Sequence, residues 1–228
     1  MLSAIAIIPS APVMVPELAA SAAEELGGLR QAVFAAAASL PSRWIAVGVG
    51  AADAVVEPDA AGTFAGYGVD RRVTLSPGAA DTPRELPLCA LIAGWVRGEA
   101  KPEARVQVRV YAADRDVGEA LAHGRRLRAE IDEAVDPVGV LVVADGAHTL
   151  TPPAPGGYEP DSIPAQAALD AALAACDAAA LTRLPDTIVG RVAYQVLAGL
   201  TELGPRSAEE LYRGAPYGVG YFVGVWQP

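Results

Sequence analysis

Three short, nearly continuous apolar runs limit what this chain can fold into: Leu2–Ile8, Trp44–Val49 and Val138–Ala144. Each is rich in Val, Ile, Leu or Ala and bounded by polar or breaker residues. A strand reads this way when both its faces are covered, as in a parallel sheet wrapped by helices. Arg105–Tyr111 (RVQVRVY) alternates apolar with polar and reads as a half-exposed or edge strand. Tyr217–Trp226 reads as a final strand whose glycines mark a bulge or a close backbone approach.

Helical patterns fill the intervals. Pro16 to about Ser39 carries apolar residues at helical spacing, with Gly27-Gly28 as a break. Pro87–Val96 and Val117–Val135 follow. An Ala-rich helix starts at Asp161 or Ser162, with Pro164 in its first turn, and runs to about Leu181. Asp186–Leu203 and Ser207–Arg213 complete the helices. Strands alternating with helices predict an α/β fold with a largely parallel or mixed central sheet and helices on both faces. No linker or repeat divides residues 1–228, so one domain is expected.

Composition removes several function classes. With 17 Lys+Arg against 27 Asp+Glu, the net charge is −10, which disfavours a phosphate backbone, so no nucleic-acid partner is expected. The apolar start MLSAIAII meets Pro9 after eight residues, and no run of about 18 apolar residues occurs, so no membrane partner is expected. Cys89 and Cys176 lack CxxC spacing. They read as two partly buried thiols in a reducing cytoplasm, not as a disulfide framework or a zinc site.

Ligands of open α/β sheets bind beyond the carboxyl ends of the strands. The loops there are Pro9-Ser10-Ala11-Pro12, Gly50-Ala51-Ala52-Asp53 and Asp145-Gly146-Ala147-His148, the last continuing through a Pro/Gly-rich stretch to Tyr158. If their strands are parallel neighbours, Ser10, Pro12, Gly50, Asp53, Asp145 and Tyr158 line one cleft. His148 then stands either as a general acid/base or ligand, or as a loop histidine bonded to backbone. His123, beside Arg125 and Arg126, reads as a solvated surface residue. With one plausible histidine, a two-His–one-carboxylate metal site is not available. A weaker oxygen site from Asp53, Glu57 and Asp145 is the alternative. No GxSxG, GxGxxG or Walker A sequence is present, so nothing supports a nucleotide cofactor.

Four segments, in order, resemble the LigB-like superfamily, the class III extradiol ring-cleavage dioxygenases and their MEMO-like relatives. IIPSAPVMVPEL is similar to the family's first strand and its Pro-His-Pro-Pro loop. GTFAGYGV (Gly62–Val69) is similar to its Gly-Asp-Phe-Ser-x-Phe-Gly segment. VVADGAHTLTPPAPGGYEP is similar to its Gly-Asp-Leu-Ser-His segment. Gly190 and Gly199, followed by YGVGYFVGV, resemble its C-terminal signature. The resemblance implies a LigB-like fold, a homodimer and a small aromatic ligand. It also implies that His148 occupies the family's acid/base position. The metal-ligand positions depart from the pattern: Ser10 and Gly50 replace histidines, and Ile188-Val189 stand where a glutamate is expected. Extradiol cleavage needs ferrous iron to hold catecholate and dioxygen together. The expectation is therefore a degenerate, cofactor-free protein that binds a small molecule, regulates, or performs a metal-independent step through His148. The alternatives are an active Fe2+ dioxygenase, with Asp53, Asp145 and His148 as a substitute ligand set, or a MEMO-like interaction module. Tyr221–Trp226 is the candidate dimer interface, its alternative being an ordinary core strand.

Overall fold

The three apolar runs lie side by side at the centre of one sheet. The computed structural model describes residues 1–19, 23–202 and 204–228. Its strands are β1 (Leu2–Ile8), β2 (Arg43–Gly50), β3 (Ala54–Val56), β4 (Ala61–Thr63), β5 (Arg72–Thr74), β6 (Arg105–Ala112), β7 (Val138–Val143), β8 (Ser207–Gly214) and β9 (Tyr221–Gln227). Seven of them form a mixed sheet in the order β3-β6-β2-β7-β1-β9-β8, and β4 and β5 pair separately. β6, β2, β7 and β1 are mutually parallel, whereas β3 and β9 run against their neighbours. The fold is α/β, a seven-stranded central sheet flanked by helices. Among the described residues, no helix is long and apolar enough to cross a membrane.

The helices are α1 (Pro16–Ala19), α2 (Gly27–Ala38), α3 (Leu88–Ala100), α4 (Val117–Glu133), α5 (Ser162–Ala174), α6 (Ala178–Leu181) and α7 (Arg191–Leu200). Alternate strand residues point to opposite faces, which splits the core into two layers. Ala4, Ala6, Ile8, Trp44 and Ala46 pack under α2 and α3. Ile5, Ile7, Ile45, Val47, Phe222 and Trp226 pack under α4, α5 and α7. α4 and α7 touch backbone to backbone. A Cβ on Gly124 would lie 2.2 Å from the Val196 carbonyl oxygen, and one on Gly199 would lie 2.2 Å from that of Leu121. Any side chain at either position would push the helices apart.

Several expectations are corrected. Ser207–Arg213 is not a helix but most of β8, which pairs antiparallel with β9 across an irregularity between Glu210 and Tyr212. Its helix-favouring residues yield to the hydrogen-bonding edge that β9 offers after a tight turn, a tertiary override of weak propensity. Arg105–Tyr111 alternates in burial as expected, but it is no edge: β3 covers its outer side. The final strand starts at Tyr221, because Gly218 turns the chain at φ +72° just before it. The Pro16–Ser39 helix is α1 and α2, and the Asp186–Leu203 helix begins at Arg191. Residues 20–22 and 203 of those spans lie outside the described residues. Tyr221–Trp226 is buried between β1 and β8, so it is the core strand and not an exposed interface.

Candidate functional site

β1 and β7 are parallel neighbours whose chains leave toward opposite faces. After β1 the chain turns into a short 3-10 segment, Pro12–Met14, and goes to α2 in one layer. After β7 it goes to α5 and α7 in the other. In open α/β sheets such a switch in direction at the carboxyl ends of two strands is where ligands bind.

Asp145 stands at that switch point. The Ser10 backbone N–H donates to its Oδ1 at 2.7 Å, tying the loop after β1 to the loop after β7. The Asp145 carbonyl accepts from the Gly190 N–H at 2.9 Å. A Cβ on Gly190 would lie 2.6 Å from the Ala144 Cβ, so glycine lets the start of α7 close over the loop. Burial pushes the Asp145 carboxyl up to about 7, against the Ser10 N–H, which favours the ionised form. The hydroxyls of Tyr221 and Tyr194 are pushed above the ordinary tyrosine range, first by burial and then by the negative charge of Asp145. Tyr194 donates to the Ala144 carbonyl at 2.9 Å. A carboxyl that is half-protonated near neutral pH can either give or take a proton.

A buried polar column holds the loop from behind. Gln166 on α5 accepts from the Ala147 N–H at 2.8 Å through Oε1 and donates through Nε2 to Asp170 at 2.8 Å. A Cβ on Gly146 or Gly220 would come within 2.0 Å or 2.1 Å of Gln166 Oε1. The two glycines thus clear the space that this carboxamide fills. Thr149 and Ser162 share a hydrogen bond of 2.6 Å between their hydroxyls, so Ser162 fixes the loop and does not cap α5.

The other expected residues divide. Pro12 is half-buried at the start of the 3-10 segment. His148 lies against Gly156, whose N–H bonds the His148 carbonyl, and its Nδ1 is buried without a hydrogen-bond partner. Ile188 bridges Ala147, which sets Thr187 opposite His148, and the Thr187 hydroxyl is likewise buried and unpartnered. Gly50 ends β2 beside Ala112 of β6, where a Cβ would meet Val110 at 2.7 Å. Asp53 is exposed and turned to the β6 side. It pairs with Arg115 and accepts from the Ala112 N–H at 2.8 Å, and these contacts hold its carboxyl below the usual range. Glu57 accepts from Gln107 on the far side of β3, and Tyr158 is 48% exposed. His123 packs on the Tyr111 ring at 4.7 Å, half-buried and not fully solvated as expected.

Neither oxygen-donor set assembles. Among the described residues, no three His, Cys, Asp or Glu side chains converge on one point, so Asp53, Glu57 and Asp145 form no group, nor do Asp53, Asp145 and His148. Ferrous iron is held by imidazoles and carboxylates. Ser10, Gly50 and Ile188-Val189 offer one hydroxyl among them, so these residues do not fit the metal that the family resemblance implies. Asp145, expected as one lining residue among several, is the polar group that joins the loops after β1 and β7. Gln166, Tyr194 and Tyr221 were not expected. The one signal for Gln166 was its spacing of four from Asp170 in an otherwise apolar helix.

No family model matches the chain, and no curated protein matches it in sequence. Among solved structures it is similar to the uncharacterized protein JW3007 from Escherichia coli K12. The match has a TM-score of 0.56 and 11% sequence identity over 99% of this chain and 100% of that one. At that identity the likeness shows a shared α/β fold.

Proposed function

We propose that this protein binds a small phenolic or similar aromatic molecule without a metal, at the switch point beyond the carboxyl ends of β1 and β7. Asp145 is the group that exchanges a proton with the ligand. The reading treats the chain as a LigB-like scaffold whose iron ligands have been replaced and whose role is binding, regulation or a metal-independent proton transfer. The observation that carries it is the Ser10–Asp145 hydrogen bond: a backbone donor occupies the carboxylate at the point where a metal ligand is expected. A phenol hydroxyl could share its proton with the second oxygen of Asp145, with His148 as a further polar contact.

The test is an anaerobic titration of catechol and related phenols into wild type and Asp145→Asn, with and without ferrous iron, followed by gel filtration and metal analysis. Binding that is independent of iron and weakened by Asp145→Asn is expected, with no iron retained. Stoichiometric iron in the filtered protein, or phenol binding indifferent to Asp145→Asn, would overturn the proposal.

A further inference from the structure

We propose a second binding site at the opposite end of the sheet, for a small organic anion that carries one carboxylate on a largely apolar body. A groove of about 760 Å3 lies at the amino ends of β2 and β6, beside the end of α4. That volume is ample for a metabolite-sized ligand. Arg43 and Arg105 stand directly opposite each other on these adjacent parallel strands, so their side chains leave the same face of the sheet. Both are exposed, and among the described residues neither takes part in an ion pair.

That pairing is unfavourable by itself, because like charges in register on neighbouring strands repel. Arg109, further along β6 on the same face, is by contrast paired with Glu130. Arg43 and Arg105 instead present two guanidiniums with no internal carboxylate between them. Two such forks suit a carboxylate that bridges them. Ile45, Pro58 and Pro137 supply the apolar part of the wall. Glu57, Glu130 and Asp136 line the same groove and set the upper limit on ligand charge. Glu130 is paired with Arg109, whereas Glu57 is engaged by the uncharged Gln107 amide at 3.0 Å and Asp136 takes part in no ion pair among the described residues. They would repel a second anionic group, which excludes polyphosphates and polycarboxylates and favours a monoanion.

Benzoate is the probe, with benzamide as its neutral counterpart and citrate as a polyanion. Each is titrated into the full chain and followed by backbone amide NMR. Benzoate is expected to shift the amides of residues 43–45 and 105–107. Losing one charged hydrogen-bond donor is expected to weaken it about tenfold or more in Arg43→Gln and in Arg105→Gln. Benzamide and citrate are expected to bind more weakly than benzoate. Without ligand, Arg43→Gln is expected to melt no lower than wild type, since one of two repelling charges is gone, which separates a binding role from a folding one. Arg43→Lys keeps the charge but loses the fork, and is expected to bind less well than wild type. Asp145→Asn is expected to leave benzoate binding at this groove unchanged, so the two sites are tested independently. The proposal is overturned by unaltered binding in the Arg43→Gln/Arg105→Gln double variant, by equal binding of benzamide, or by silent amides at benzoate on the order of 10 mM.

Discussion

Replacing Asp145 with asparagine should stabilise the protein at neutral and alkaline pH and leave it unchanged in acid. The folded carboxyl titrates at about 7, and in the unfolded chain it titrates at about 3.9. Between those values the native state keeps a proton that the unfolded state has lost. Stability from this group is fully present below the unfolded value, falls by about 1.4 kcal/mol per pH unit as pH rises, and is gone once pH passes the folded value. Three pH units give about 4 kcal/mol as an upper figure. Asparagine cannot ionise, and its Oδ1 can still accept the Ser10 N–H. Urea denaturation of both proteins from pH 4 to pH 8.5 isolates the effect, because the other titrating groups cancel in the difference. The asparagine variant should gain steadily up to about pH 7 and then hold a constant advantage. Parallel curves across that range, or a wild type that is the more stable protein at pH 8, would refute the claim that this carboxyl is held out of water.

Gln166→Leu should cost about 2–4 kcal/mol in the same denaturation assay, because it leaves the Ala147 N–H and the Asp170 carboxyl without their buried partner. Amide hydrogen exchange at Ala147 should rise even at urea concentrations where the sheet stays protected. Gly199→Ala should lower stability by about 1–3 kcal/mol, since the added methyl would sit 2.2 Å from the Leu121 carbonyl and force α4 and α7 apart. A thermal midpoint equal to that of wild type would show that the two helices do not approach so closely.

The central strands were legible because a strand covered on both faces is apolar at nearly every position, as β7 is throughout and β1 is apart from Ser3. β8 was not. Ala208, Glu209, Glu210 and Leu211 all favour a helix, and only the pairing with β9 makes them extended. β3, β4 and β5 are three residues each, too short for any period to register. The strand-end loops were legible as the place to look, because β1, β7 and β2 are parallel neighbours. Which residue dominates them was not. The environment of Asp145 is made by Ser10, 135 positions away in the chain, and by Gly190 across the loop. Asp53 shared the same local signal, but a partner beyond β6, Arg115, draws it out of the site. The Arg43–Arg105 register is equally invisible until the strands are aligned.

The first strand takes its two neighbours from very different times in synthesis. β7 reaches it once residues 138–143 have emerged, but the antiparallel partner on its other flank is residues 221–227. A nascent chain that has made everything up to α7 therefore carries an unpaired backbone edge at Ile5, Ala6 and Ile7 of β1, flanked by apolar side chains and open to any extended segment nearby. The β8–β9 hairpin is the cap that ends this exposure, and a chain deprived of it would be prone to cluster with copies of itself.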